Sequence, residues 1–378
     1  MKKIVIILLL LFAGFLGFFL AKTYLQQNNS RIIPEKKVTP TKQINKISIT
    51  SKSIFVPYWS FDSGNSDFSE YDSLIYFGIA PNYEGINKQE DGYKGLPAFI
   101  ENSEGKKKFL TLRMIDYDVN TFVLENDAVQ KKIIAETLDI LEEYKFAGAV
   151  LDLEISNSLN KDISIQINNF VQQFYSEVNK NYRRFFVTIY GDTFYKKRPF
   201  DLSFLAKNSD GIMIMAYDFH KSRGEPGPNF PYTSGPASAE ATAGRAKYPY
   251  NFKMMISDFL RFVPKEKLTV IFGMFGYDWL VDEKKRPIRQ AEALSLNEMN
   301  KKFIEKCEFK NCVIKRDNIS KETEINYIIS SPTPDEQDIY RIDYHIVWFE
   351  DEESVKTKTV YLRDQEISNI SYWAYGYF

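Results

Sequence analysis

The 378-residue chain has few of the side chains that bind transition metals. It contains two histidines, His220 and His345, and two cysteines, Cys307 and Cys312. A zinc or iron–sulfur site of the usual kind needs three or four such ligands that converge in the fold. The composition therefore argues against metal-dependent chemistry.

The chain also lacks an excess of charge of either sign. Its 49 basic and 50 acidic residues leave a formal net charge of -1. Nucleic-acid-binding domains carry a pronounced positive patch or a basic balance. We therefore expect no nucleic-acid partner.

The two cysteines leave two interpretations open. Cys307 and Cys312 are separated by four residues. This spacing fits a local disulfide if the domain is exported, and two buried thiols if it stays in a reducing compartment.

The N-terminus carries the one long hydrophobic run. Eighteen apolar residues, Ile4 to Ala21, follow Lys2 and Lys3. As a helix they would measure roughly 27 Å, close to the ~30 Å of the hydrocarbon core. We predict a membrane anchor at residues 1–21, with a cleaved signal peptide as the alternative. The barrel would then lie on the extracytoplasmic side of the cell membrane, or be secreted after cleavage.

Residues 22–52 form a polar segment with seven basic residues and one acidic residue. This composition predicts a solvated linker.

From residue 53 onward, short apolar runs alternate with helical patterns. Two of these patterns are clear, one at residues 127–144 and one with apolar residues every three or four positions from Ile163 to Val178. The eight apolar runs are SIFVPYW, SLIYFGIA, KFLTLRM, GAVLDLEI, FFVTIYG, GIMIMAYD, LTVIFGMFG and ISYWAYG.

Strands that alternate with amphipathic helices indicate parallel βα units, and eight of them predict an α/β fold of the closed (β/α)8 type, a TIM barrel, over residues 53–378. The seventh and eighth runs are much further apart than one βα unit requires. We assign the excess, about residues 279–344, to a small α+β insertion with its own helix and strands.

The fourth run, GAVLDLEI, places two acids inside an apolar strand. Asp152 and Glu154 are two residues apart, so their side chains share one face of the strand. A buried ion pair with a neighbouring cation such as Arg113 is the structural alternative. Catalytic residues of such barrels lie at the carboxyl ends of the strands. Other runs also end in candidate side chains. The first run ends with Trp59 and the sixth with Tyr217 and Asp218, Tyr277 directly follows the seventh, and Trp373 lies near the end of the eighth.

Two acids surrounded by aromatic rings are typical of a sugar-cleaving site. One carboxylic acid protonates the leaving oxygen, a second group stabilises the positive charge, and rings stack on the sugar. Glu154, nearer the strand end, is the candidate acid. For Trp59 and Tyr277, packing in the core is the alternative to a role in binding sugar.

These motifs resemble family 18 glycoside hydrolases. GAVLDLE is similar to the fourth-strand signature D-G-x-D-x-D-x-E, with Glu154 at the final acid and Asp152 two residues before it. MAYD matches the sixth-strand Met-x-Tyr-Asp, and Trp373 falls on the eighth-strand tryptophan. The similarity covers about residues 53–378. It is strongest to the branch with spore-germination peptidoglycan N-acetylglucosaminidases and chitinase-domain proteins.

The resemblance implies substrate-assisted, retaining hydrolysis of a 2-acetamido sugar in peptidoglycan or a chitin-like glycan. Glu154 would be the acid and base, Asp152 would orient the acetamide, and Tyr217 would bind its oxygen. Trp373 would form the floor of the sugar pocket, with Asp218 in support. No metal or organic cofactor is required by this chemistry.

The sequence departs from the signature at two positions. Ala147 and Val150 replace acids of the family pattern. Valine cannot hydrogen-bond Asp152, so we expect an apolar floor beneath Asp152, a raised Asp152 pKa and slower turnover or a shifted pH optimum. The same losses favour the alternative function, a membrane-tethered, lectin-like protein that binds amino sugars without cleaving them.

Overall fold

A computed structural model of the protein describes residues 51–61, 66–155, 162–235, 246–330 and 342–378. The predicted anchor at residues 1–21 and nearly all of the predicted linker lie outside these ranges. Within them, no helix has both the length and the apolar character needed to cross a bilayer.

Eight parallel strands close into a barrel, as the sequence predicts. Each of the eight predicted runs supplies one strand. Around the barrel their order is β1-β15-β9-β8-β7-β6-β5-β2. Numbered along the chain, the barrel strands are β1 (Ser51–Pro57), β2 (Ser73–Ile79), β5 (Lys107–Met114), β6 (Gly148–Leu153), β7 (Arg184–Tyr190), β8 (Gly211–Met215), β9 (Leu268–Gly273) and β15 (Asn369–Trp373). A short hairpin of β3 (Pro81–Asn82) and β4 (Gly85–Ile86) follows β2.

The first strand begins two residues before the predicted start of the barrel. Ser51 pairs with Asn369 and Lys52 with Ile370, which closes the barrel between β1 and β15. Residues 51 and 52 therefore belong to the barrel and not to the linker.

The barrel strands are apolar on both faces, because each face packs against a different layer. Side chains such as Phe55, Phe109 and Val150 point inward and form the barrel interior. Their neighbours on the other face, including Ile54, Leu110 and Leu151, pack against the surrounding helices. This double burial explains the continuous apolar runs in the sequence.

The helices confirm both helical patterns. Asn126 caps the helix at 127–143 by accepting from Val129 N, and the apolar positions from Ile163 to Val178 are buried on one face of the helix at 163–180. The α-helices are α1 (Asp91–Lys94), α2 (Leu96–Asn102), α3 (Tyr117–Glu125), α4 (Asp127–Glu143), α5 (Ile163–Lys180), α6 (Thr193–Lys196), α7 (Leu202–Lys207), α8 (Phe252–Leu260), α9 (Leu296–Met299) and α10 (Glu352–Asp364), with a 3-10 turn at Lys265–Lys267 and a π-helix at Asn300–Ile304.

The insertion between β9 and β15 is an antiparallel sheet with the order β11-β10-β14-β13-β12. It is larger than the predicted 279–344. The mostly apolar run from Leu268 to Val281, interrupted by Thr269 and Asp278, hides the point, after Gly273, where the chain leaves the barrel. Its strands are β10 (Phe275–Val281), β11 (Glu292–Ser295), β12 (Lys310–Arg316), β13 (Thr323–Ser330) and β14 (Ile342–Phe349).

Cys307 and Cys312 form a disulfide within the insertion, with their Cα atoms 6.4 Å apart. Of the two interpretations that the spacing left open, the structure shows the bonded one. The disulfide joins the end of the helical segment to the start of β12.

A buried charge cluster joins the insertion to the last helix. Lys358 of α10 forms ion pairs with Glu322 and Glu350, and all three side chains are fully buried. Burial raises the pKa of Glu350 to about 8, although the Lys358 charge opposes this shift. Burial lowers the pKa of Lys358, but the two glutamates outweigh burial and raise it above its usual value.

Candidate active site

Asp152 in β6 and Glu154 immediately after it lie at the carboxyl end of the barrel, and each accepts a hydrogen bond from a hydroxyl of β7. Asp152 is 4% exposed and Glu154 is partly buried. The Thr188 hydroxyl donates to the Asp152 carboxylate. The Tyr190 hydroxyl donates to Glu154 Oε2 at 2.7 Å. Neighbouring strands thus fix the orientation of both carboxylates.

These acids open into a cavity of about 590 Å³, which is within the usual size of a ligand site. All seven residues singled out from the sequence line it. They are Trp59, Asp152, Glu154, Tyr217, Asp218, Tyr277 and Trp373. The structure therefore brings together candidates from five strands or strand ends, and their roles stay predictions.

Asp152 lies above the apolar interior of the barrel. Val150, two residues below it, is fully buried among Phe, Met and Ile side chains. Burial raises the pKa of Asp152 to about 7, and the charge of Glu154 adds to the increase. The Thr188 hydrogen bond and the Arg113 charge act in the opposite direction.

Arg113 does not form the ion pair that was the structural alternative for these acids. It is opposite Asp152 in the β5–β6 register, so both side chains point into the barrel. Its guanidinium pairs with Glu90 instead and lies 5.5 Å from the ring centroid of Tyr58. In the described part of the chain, neither acid has a basic side chain within ion-pair distance.

Tyr217 is a hydrogen-bond donor aimed into an acidic site. Burial, followed by the charges of Asp152 and Glu154, raises the pKa of its phenol. The hydroxyl therefore stays protonated at neutral pH and can donate to an uncharged acceptor. Its ring packs against Phe275, with the centroids 5.8 Å apart.

Asp218 adopts a left-handed backbone conformation, with φ of 58°. Its amide donates to Asn229 Oδ1 at 2.7 Å. Its carboxylate accepts from the Tyr277 hydroxyl at 2.7 Å. Burial raises the pKa of this carboxyl, and the Tyr277 hydrogen bond limits the increase.

The structure corrects the assignment of Tyr277 to a barrel strand. Tyr277 belongs to β10 of the insertion, which pairs with β11 and β14. It reaches the cavity because β10 begins immediately beyond the end of β9. The insertion thus supplies one wall of the site.

Trp373 packs at the far side of the barrel from β6, within an aromatic cluster. Its ring centroid lies 4.7 Å from Phe77, 5.8 Å from Phe55 and 6.3 Å from Trp59. The peptide bond between Trp373 and Ala374 is cis. Trp59 is 50% exposed, so its ring can stack on a ligand as well as pack against Trp373.

Sequence reasoning missed several residues of the site. Thr188 and Tyr190 occupy alternate positions of the fifth run, and that spacing placed them on the inner face beside the acids. Ser295 and Glu298 line the cavity from the insertion. No sequence pattern signalled these two, because their helix begins outside the barrel repeat.

We expect Thr188→Val to raise the pKa of Asp152 by about one to two units. The hydroxyl donates to the ionised carboxylate, so its removal destabilises that form by about 1.5–3 kcal/mol, and 1.36 kcal/mol corresponds to one pKa unit. Titration of the Asp152 carboxyl carbon by NMR measures the shift. Thr111→Val is the matched control, because the buried Thr111 hydroxyl has no hydrogen-bond partner among the described residues. An unchanged Asp152 pKa in Thr188→Val would contradict the assigned role of the hydroxyl.

A barrel with paired carboxylates, a phenol and an indole at the carboxyl ends of its strands defines a glycosidase-like site. The profile of "Glycosyl hydrolases family 18" matches residues 118–377. The chain belongs to this family. The resemblance seen in the sequence is thereby confirmed.

Known relatives agree with this assignment. The uncharacterized glycosylase YvbX of Bacillus subtilis is 21% identical over 268 residues, covering 69% of this chain and 66% of that protein. The Ostrinia furnacalis Group IV chitinase in complex with allosamidin superposes with a TM-score of 0.69 at 17% identity, covering 86% of this chain and 92% of that one. The Bacillus cereus spore cortex-lytic enzyme SleL gives 0.62 at 18% identity, with coverages of 88% and 72%.

At these identities the solved structures show a shared fold. The chain spans just under two thirds of YvbX. The relatives include proteins of the spore-cortex branch to which the sequence motifs are similar.

Proposed function

We propose that this protein is a retaining glycoside hydrolase that cleaves β-linked N-acetylglucosamine units by a substrate-assisted mechanism. One observation carries the proposal. Asp152 at the end of β6 and Glu154 just beyond it line one cavity, each oriented by a hydroxyl of β7, with Tyr217 and Trp373 in the same cavity.

The first step breaks the glycosidic bond. The sugar at the cleavage site stacks on Trp373, and Glu154 gives its proton to the departing oxygen. The carbonyl oxygen of the substrate's own acetamide attacks the anomeric carbon and forms an oxazolinium ion. The Tyr217 hydroxyl donates to the acetamide oxygen, which orients it for this attack.

The second step restores the enzyme. Asp152 faces the acetamide N–H and stabilises the positive charge of the intermediate. Glu154 takes a proton from water, and the water oxygen attacks the anomeric carbon and opens the oxazolinium ring. The configuration at that carbon is retained, since two displacements occur in succession.

The protonation of Asp152 is central to this cycle. Burial and the neighbouring Glu154 raise the pKa of Asp152 to about 7, so this carboxyl can change its protonation state near neutral pH. An acid pair of this kind can retain a proton for donation and still provide a carboxylate for the cation.

The substrate class is a glycan that carries N-acetylglucosamine, either peptidoglycan or a chitin-like polymer. The similar structures include a chitinase and a spore cortex-lytic enzyme, which support this class of substrate. Purified protein incubated with peptidoglycan and with chitin oligomers tests the proposal through the release of reducing ends.

The location of the protein is a separate proposal that rests on residues 1–21. We propose that this apolar run holds the barrel outside the cytoplasmic membrane, or directs its secretion, which would bring it to wall glycan. Protease treatment of intact cells should then degrade the barrel. A barrel that resists the protease until the cells are lysed would overturn this location without affecting the proposed activity.

A further inference from the structure

Asn229, in the connection after β8, uses its whole side chain to join two parts of the active site. It is 2% exposed. Its Oδ1 atom accepts from the Asp218 amide at 2.7 Å. Its Nδ2 atom donates to the carbonyls of Gly273 and Phe275, each at 3.2 Å. One side-chain amide therefore ties the end of β8 to the point where the chain passes from β9 into the insertion.

The residue that Asn229 holds is in a conformation that needs support. The left-handed region costs most non-glycine residues about 1–2 kcal/mol, and aspartate, whose short side chain can hydrogen-bond locally, adopts it more readily than most. Asp218 adopts it with φ of 58°, and in this conformation its carboxylate meets the Tyr277 hydroxyl. Without Asn229 Oδ1, the amide of Asp218 would lose its partner, and the backbone would be free to relax.

The insertion holds Asn229 in turn. The Glu322 carboxylate, which is fully buried, accepts from the amides of Asn229 and Phe230, the latter at 2.8 Å. Lys358 donates to the same carboxylate at 2.9 Å. A buried anion between β12 and β13 thus fixes the loop that carries Asn229.

We propose that Asn229 and Glu322 are positioning residues of the active site, and that through them the insertion sets the position of Asp218. This inference rests on the proposed function for its kinetic consequences. The insertion forms a wall of the cavity through Tyr277. It also determines where the Asp218 carboxylate lies, through the contacts of Glu322 with Asn229 and of Asn229 with Asp218.

The test compares two buried asparagines. Asn229→Ala removes the bonds to Asp218, whereas Asn251→Ala removes a helix cap of similar burial that does not contact Asp218. Misplacement of a group in the site by about 1 Å can cost up to ~10²-fold in rate. We expect kcat/KM on N-acetylglucosamine oligomers to fall by about 10–100-fold in Asn229→Ala and by less than about 3-fold in Asn251→Ala.

A double-variant cycle separates positioning from general destabilisation. If Asn229 acts through Asp218, Asn229→Ala should cause no further loss of kcat/KM in an Asp218→Ala background. A further 10–100-fold loss there would overturn the proposal. Glu322→Gln keeps the shape of the side chain and one acceptor oxygen. It should therefore lower kcat/KM by less than Asn229→Ala does, and this loss should also disappear in the Asp218→Ala background. It also serves as the test variant should Asn229→Ala fail to fold.

A measurement without substrate makes the outcome independent of the proposed hydrolysis. Amide hydrogen exchange at Asp218 should accelerate at least 10-fold in Asn229→Ala and stay unchanged in Asn251→Ala. Unchanged exchange at Asp218 in Asn229→Ala would overturn the proposal.

If the wild type binds the oligomers, seen as quenching of tryptophan fluorescence, but releases no reducing ends, the proposed function fails. The double-variant cycle of Asn229→Ala and Asp218→Ala is then measured with the dissociation constants of the oligomers in place of kcat/KM.

Discussion

Glu154→Gln is expected to reduce the release of reducing ends by about 10²–10⁴-fold, the usual contribution of a general acid and base. Glutamine preserves the shape of the side chain and can still accept from the Tyr190 hydroxyl, which lies 2.7 Å from Glu154 Oε2. It cannot give a proton to the departing oxygen. The loss should therefore appear in kcat, and KM should change little.

Glu298→Gln is the matched control for this variant. Glu298 lines the same cavity but caps α9 of the insertion by accepting from the Ser295 amide. It should lower the rate by less than about 10-fold.

Equal activity of Glu154→Gln and the wild type would remove Glu154 from the mechanism. If the wild type binds sugar oligomers and cleaves none, the lectin-like alternative is correct, and the substitutions at Ala147 and Val150 become its first explanation.

The second large effect concerns stability. We expect Lys358→Met to lower the free energy of unfolding by about 3–5 kcal/mol near neutral pH, the usual cost of removing one partner of a buried ion pair. Methionine fills the space of the lysine stem but leaves Glu322 and Glu350 fully buried without their cation. Denaturant unfolding at constant m-value measures the loss.

Lys356→Met on the same helix is the control, because Lys356 is exposed. Its effect should stay within about 0.5 kcal/mol. Because burial raises the pKa of Glu350 to about 8, its folded carboxyl takes up a proton before the unfolded chain does, so the loss in Lys358→Met should shrink as the pH falls from about 8 towards the ordinary glutamate pKa of about 4.3. Adding Glu350→Gln should recover part of the stability. Similar losses for the two lysines would show that the cluster contributes little.

The barrel could be predicted from the sequence because its strands are buried on both faces. Each of the eight apolar runs supplies one strand, and the stripe from Ile163 to Val178 supplies the buried face of α5. The border of the insertion could not be predicted in this way. Residues Leu268 to Val281 are apolar except for Thr269 and Asp278, since both the barrel strand and the insertion strand that follows are buried.

The candidate site was predictable where a strand end carries an unusual side chain. Asp152 and Glu154 stand out because charge is costly in a buried strand. Asn229 could not be found this way, because its role depends on contacts with Asp218, Gly273 and Glu322, which are distant in the sequence. An asparagine in a loop has many other uses, and only the fold shows which of them applies.

The seam between β1 and β15 has a consequence for how the protein is made. Ser53 and Ile370, hydrogen-bonded across this seam, are 317 residues apart in the chain. A ribosome that adds about 5–20 residues per second completes β1 long before β15 emerges. During that interval β1 presents one open edge and the most recently completed strand, finally β9, presents the other, and both can pair with other chains. The barrel can therefore close only at the end of synthesis, and its yield in the cell should depend on factors that shield these two edges until then.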